Sequence, residues 1–169
     1  MEYFTEVLSF EDYEYVVNKT LHGNIWRFKG YSNEESQFKF WLMDLSHDSF
    51  FTDKFLHVIE TLAGKKFEID RVYANGQTYG QPGSVHRDVM TDYAPELYST
   101  FVYYVNPTWD VNWGGNTVLI NDNGSVSNVM PVRNTGILFP SNMLHYGCEP
   151  TRHCPELRVT VAFKLKELI

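Results

Sequence analysis

From residue 67 onward the chain is a succession of short apolar segments separated by turn-forming residues, and this pattern restricts the fold more than any other feature. Residues 67–74 alternate apolar and polar. Asn75-Gly76 then reads as a hairpin turn, and Gly80 to Gly83 open a loop. Residues 100–105, 116–120, 126–132, 136–139 and 157–163 read as further strands, broken by a tight turn at Gly114-Gly115 and another at 121–124. Two helices come before them. The first, over 9–21, has Ser9 as its cap, acidic Glu11 and Asp12 in its first turn, and Tyr13, Val16, Val17 and Leu21 on one stripe. The second starts at Asp48 or Ser49, places Phe51, Phe55, Val58, Ile59 and Leu62 on one face, and stops at Gly64. Between them, 25–28 and 38–42 read as short strands around a polar turn at 32–36. The expectation is a mostly β fold with supporting N-terminal helices and a double-stranded β-helix (jelly-roll) core. It is a single domain over 1–169, with 1–66 as a helical support region and 67–169 as the core.

With 169 residues, 43% of them hydrophobic, the chain can bury one core without staples. An aromatic content of 16% suits a β-rich fold with a lined pocket. A net charge of -7 disfavours a nucleic-acid partner, which would want a basic stripe. Only Cys148 and Cys154 are present, so a disulfide framework is excluded and a reducing compartment is expected. The acidic N-terminus and the lack of any apolar run near a membrane span point to a soluble, cytoplasmic protein with no membrane partner.

Chemistry concentrates at His86 and Asp88. Two residues apart on an extended segment, their side chains leave the same face and can converge on one cation. His145 is the candidate third ligand, read as opening a strand that leads on to Arg158; the rival His153 sits in a loop between Arg152 and Cys154. Two imidazoles and one carboxylate leave three positions of an octahedron open, the ligand set of non-haem Fe(II) oxygenases. Without that set, His86 and Asp88 would be a surface pair, and Arg158 a sheet arginine reaching solvent. His22, His47 and His57 read as solvated residues, and the two cysteines as free thiols with no part in iron chemistry.

The ordered motifs resemble the Fe(II)- and 2-oxoglutarate-dependent dioxygenases, in particular their prolyl 4-hydroxylase-like branch. They are Tyr73-Ala74-Asn75-Gly76-Gln77-Thr78-Tyr79, His86-x-Asp88, Tyr103-Tyr104-Val105-Asn106-Pro107 with Trp109, Trp113-Gly114-Gly115, His145 and Arg158-x-Thr160. The resemblance covers about Arg71 to Lys164. It implies Fe(II) held by His86, Asp88 and His145, and 2-oxoglutarate held at its far carboxylate by Arg158 and Thr160. A planar guanidinium can grip both oxygens of that carboxylate; Arg152 and Arg133 are the alternatives. Tyr104 and Tyr73 are implied as neutral donors to the cosubstrate, and Tyr79 belongs to the pocket or the substrate mouth.

The implied reaction hydroxylates an unactivated C–H bond while 2-oxoglutarate and O2 yield succinate and CO2, with ascorbate as a candidate reductant. Asp88 favours hydroxylation, because related halogenating enzymes lack this carboxylate. The expected substrate is a prolyl residue in a peptide or protein. A free amino acid or other small-molecule metabolite is the alternative, and a non-catalytic metal-binding jelly-roll module is the alternative of another class. An open groove beside the metal favours the peptide, and a closed pocket favours the metabolite. The stretches 89–99 and 147–157 are candidate rims or lids.

Overall fold

A computed structural model describes residues 1–33, 36–89 and 94–168. Seven antiparallel strands make the larger sheet, in the order β1 (Glu2–Phe4), β8 (Thr135–Pro140), β5 (Tyr98–Tyr104), β10 (Arg158–Glu167), β4 (Phe67–Gln77), β3 (Phe40–Asp44) and β2 (Arg27–Gly30). The smaller sheet runs β7 (Val126–Val129), β6 (Thr117–Ile120), β9 (Leu144–Gly147). A bridge between His86 and His145 adds one more extended segment beside β9. Val102, Tyr104, Ile137 and Phe139 of the larger sheet pack with Leu119 and Val129 of the smaller, so the two sheets share an apolar layer. This is the expected double-stranded β-helix.

The other face of the larger sheet carries the helices. Helix α1 (Phe10–Thr20) begins as the sequence predicts, with the Ser9 hydroxyl accepting from the Asp12 N–H. The Tyr13 hydroxyl donates to the Val105 carbonyl at 3.0 Å and ties the helix to the end of β5. Phe55 is the centre of an aromatic cluster, 5.0 Å from Tyr103, 4.9 Å from Phe163 and 6.2 Å from Phe101. All four rings are fully buried.

Several sequence expectations are corrected. The second helix opens with a π-helical turn, Phe50–Phe55, before α2 (Leu56–Ala63). That wide turn carries Phe51, Phe55 and Ile59 inward at steps of four, so Ala63 follows them against the core and Leu62 is exposed. Asn75-Gly76 is not a turn, since β4 runs through both residues to Gln77. A Cβ on Gly76 would come within 3.1 Å of Leu157 and 3.2 Å of Trp41, so the glycine serves close packing between strands. His145 lies on β9, a strand of its own paired with β6, and not on the one carrying Arg158. Strands β2 and β3 start two residues later than expected, leaving Ile25 exposed. Strand β7 ends at Val129, short of Pro131, which cannot donate to a ladder. The expected turn at 32–36 and the rim at 89–99 fall partly outside the described residues, including Glu34, Glu35, Met90 and Tyr93.

Candidate metal and cosubstrate site

The register of β10 against its two neighbours builds the site in rows. Arg158 faces Gln77 of β4; Thr160 faces Asn75 of β4 and Tyr104 of β5; Ala162 faces Tyr73 and Val102; Lys164 faces Arg71 and Thr100. Alternation sends Val159, Val161 and Phe163 to the helix side. Arg158, Thr160, Ala162 and Lys164 line a slot between the sheets, facing Thr117, His145 and Gly147 of the smaller sheet.

His86, Asp88 and His145 converge at one end of that slot, each offering a ligand atom within 4.8 Å of the others. His86 and His145 exchange backbone hydrogen bonds of 3.0 Å in both directions, which sets their rings side by side with centroids 4.3 Å apart. Nδ1 of His86 lies 2.8 Å from the Ser84 carbonyl, and Nδ1 of His145 lies 2.9 Å from the Met143 carbonyl. A carbonyl can only accept, so each Nδ1 carries the proton and each Nε2 keeps a free lone pair. Those lone pairs point at Asp88: Nε2 of His86 is 3.4 Å from Oδ1, and Nε2 of His145 is 3.3 Å from Oδ2. Burial would raise the Asp88 pKa. The Lys164 ammonium, followed by the nearby imidazoles of His145 and His86, outweighs it and holds the carboxyl well below the usual carboxylate range. The group is therefore held as an anion, the form in which a carboxylate can ligate a metal.

Arg158 closes the far end. Its NH1 donates to Gln77 Oε1 at 2.8 Å, its NH2 to Thr117 Oγ1 at 3.1 Å, and its Nε to the Gly115 carbonyl. The guanidinium is buried, which lowers its pKa, and no carboxylate pairs with it among the described residues. Gly115 sits at φ 70°, and a Cβ there would come within 2.9 Å of Trp109 and 3.0 Å of Arg158. The double glycine is therefore more than the tight turn expected of it: it lets the indole and the guanidinium close on the backbone.

Two buried polar atoms in this region have no hydrogen-bond partner among the described residues, Oδ1 of Asn75 and the hydroxyl of Tyr104. Burial pushes the Tyr104 pKa up to about 12, tempered by Thr117 and Arg158, so the hydroxyl stays a neutral donor. Buried groups of this kind ordinarily find partners. A buried cation with no acid and an orphan hydroxyl donor beside it fit a dicarboxylic keto acid, and the two imidazoles with one carboxylate fit Fe(II).

Thr160 and Tyr73 also line this slot. Tyr79 does not join them; it is exposed, with Arg152 over its ring at 5.0 Å. His153 is exposed and Arg133 stacks on Tyr13, so neither rival reaches the site. Three residues escaped the sequence reading: Asn75, Gln77 and Lys164. Continuing the alternation of β4 past Tyr73 would have exposed the first two, and continuing that of β10 past Ala162 the third.

Beside the metal cluster opens a groove of about 750 Å³. Its walls come from β2, β3, β4 and the segment at His86–Asp88, and include Lys29, Tyr31, Leu42, Asp44, Asp70, Arg71 and Arg87. Ser32, Tyr73, Asn75 and His86 line both the groove and the slot, so the two spaces meet at the metal cluster.

A double-stranded β-helix with two histidines and an aspartate at one end of its inter-sheet slot defines the class of non-haem iron oxygenases. Residues 71–164 match the model of the 2OG-Fe(II) oxygenase superfamily, and the chain belongs to that family, whose enzymes use Fe(II), 2-oxoglutarate and O2. Among solved structures, a Trichoplax adhaerens prolyl hydroxylase in complex with a hypoxia inducible factor oxygen degradation domain peptide aligns with a TM-score of 0.74 and 14% identity, covering 98% of this chain and 83% of that one. A Pseudomonas putida prolyl-4-hydroxylase aligns with a TM-score of 0.66 and 14% identity, covering 99% and 92%. The α-ketoglutarate-dependent epimerase SnoN from nogalamycin biosynthesis aligns with a TM-score of 0.69 and 14% identity, covering 96% and 76%. A search of curated protein sequences finds no significant match. No helix among the described residues is long and apolar enough to cross a membrane.

Proposed function

We propose that this 2-oxoglutarate-dependent dioxygenase hydroxylates a prolyl residue in a peptide or protein, with residues 1–169 acting as one catalytic domain. The observation that carries the substrate class is the groove, which is open, carries both charged and apolar residues, and is continuous with the metal cluster. At about 750 Å³ it lies in the upper part of the range for ligand sites, ~300–1,000 Å³. Charges of both signs, from Lys29, Arg71 and Arg87 against Asp44 and Asp70, suit a chain with polar flanks. The prolyl hydroxylases of the same fold, one of them in complex with a peptide, support the reading. Both cysteines are free, which suits a reducing, cytoplasmic setting.

In this reading His86, Asp88 and His145 hold iron through Nε2, a carboxylate oxygen and Nε2. Arg158 grips the far carboxylate of 2-oxoglutarate, with Thr160 beside it. Tyr104 offers its orphan hydroxyl as a donor, and Tyr73 stands where slot and groove meet. Bound together, Fe(II) and 2-oxoglutarate supply the oxidising power that turns O2 into one hydroxyl on substrate, with succinate and CO2 released. The protein fixes both imidazole tautomers through the Ser84 and Met143 carbonyls, and the buried slot keeps bulk water from the reacting end.

The test is succinate formation by anaerobically Fe(II)-loaded protein exposed to O2, with and without a proline-rich peptide, and with His145→Ala as control. Peptide-stimulated succinate that falls to background in the variant is expected. Turnover that needs His145 but ignores the peptide would transfer the substrate to small metabolites.

A further inference from the structure

We infer that Lys164 is a positioning residue for the metal centre: together with Thr100 it holds one oxygen of Asp88, so that the carboxylate presents only its other oxygen to iron. The inference rests on the iron-site reading above.

Lys164 sits on the slot face of β10, directly across the ladder from Thr100 of β5. Its side chain is only 7% exposed and that of Asp88 only 5%. The ammonium and the Thr100 hydroxyl both donate to the same atom, Oδ2, the hydroxyl at 2.6 Å. Thr100 is itself oriented, because its oxygen lies 2.9 Å from Ser141 Oγ, and the Ser141 carbonyl accepts the Asp88 N–H at 2.9 Å. Among the described residues Oδ1, by contrast, meets only the unprotonated Nε2 of His86.

A carboxylate with both oxygens free can bind a metal through one or both. The difference matters here. A keto acid takes two positions and O2 a third, so all three positions left by a two-histidine, one-carboxylate set are needed. A second oxygen from Asp88 would remove one of them. Apart from its ammonium lying 5.8 Å over the Tyr73 ring, the described residues give this lysine no other polar contact. A buried ammonium is costly unless paired, and the helix-side core is served by its neighbours Phe163 and Leu165. Charge and hydrogen bonding on Oδ2 are what its position delivers.

The test counts exchangeable waters on Mn(II) bound to the protein, by water-proton relaxation, before and after saturating 2-oxoglutarate. Wild type is expected to show about three waters falling to about one on adding the keto acid. Lys164→Met keeps the length of the chain but not its charge, and is expected to lose one water in each state, leaving none once 2-oxoglutarate is bound. Lys164→Arg is expected to restore the wild-type count, and Thr100→Val to show a smaller loss. A folded Lys164→Met protein that binds Mn(II) with the wild-type water count overturns the inference. Should that variant not fold, an unchanged count in Thr100→Val overturns it instead. Failure of a different kind is distinguishable: if wild type binds no Mn(II), or His145→Ala binds it equally well, the iron-site reading itself is wrong.

Discussion

Strand β10 presents two environments to the molecule, one residue at a time. On one side Val159, Val161 and Phe163 join the aromatic cluster around Phe55, where the side chains pack through apolar contact. On the other side Arg158, Thr160, Ala162 and Lys164 face a slot in which Arg158 and Lys164 make directed hydrogen bonds and an ion pair. The apolar side stabilises through buried area, which is non-directional, so its residues set stability. On the slot side the contacts fix donors and acceptors in place, and their residues set what can bind. A single strand thus separates the two roles by its pleat.

The sharpest way to break this comparison is Phe55→Ala. Losing the ring that touches Tyr103, Phe163 and Phe101 should cost about 3–5 kcal/mol, read as a lower denaturant midpoint. Divalent-metal affinity of the protein that remains folded should be unchanged. A matching loss of metal affinity would mean that the two sides are not independent.

The reverse experiment is Arg158→Lys. The planar fork that meets Gln77 and Thr117 is lost, and with it the paired grip on a carboxylate. At about 1.5–3 kcal/mol for hydrogen bonds to a charged group, 2-oxoglutarate should bind roughly 10- to 150-fold more weakly. Metal affinity should hold, and calorimetric titration of each ligand separates the two.

The smallest effect concerns the helix side and acid. Burial would raise the Asp48 pKa, but hydrogen bonds from Lys19, Tyr15 and the Phe50 N–H pull it below the ordinary value. A carboxylate depressed in the folded state stabilises fully above its unfolded pKa, about 3.9, and that contribution disappears as pH falls through the lower folded value. The melting temperature of Asp48→Asn should therefore fall less steeply than that of wild type below about pH 4. Parallel curves would show that Asp48 contributes nothing to acid sensitivity.

Much of this was legible along the chain. The two-residue spacing of His86 and Asp88, the capping of α1 by Ser9, and the alternation from Arg158 to Phe163 are local patterns, and each appears in the structure where the sequence places it. Asn75-Gly76 shows where local reading stops. The dipeptide has the chemistry of a turn, yet ladders to β3 and β10 on both sides hold it extended. Lys164 was equally hidden: a lysine late in a strand reads as solvent-facing until Asp88, 76 residues away in sequence, is seen beside it. Leu62 was misplaced because a π turn is a change of pitch that composition does not announce.

By itself, then, the sequence determined the candidate ligand types, their order, and the alternation that sends Arg158 and Thr160 to one face, because side-chain direction in a strand follows from backbone geometry alone. Only the tertiary structure decided that His145 would stand on its own strand beside His86, that Asn75, Gln77 and Tyr104 would share rows with Thr160 and Arg158, and that Lys164 would reach Asp88. Those outcomes depend on the register between strands far apart in sequence. Register is set by how the two sheets and the helices bury their apolar faces together, which no single segment encodes.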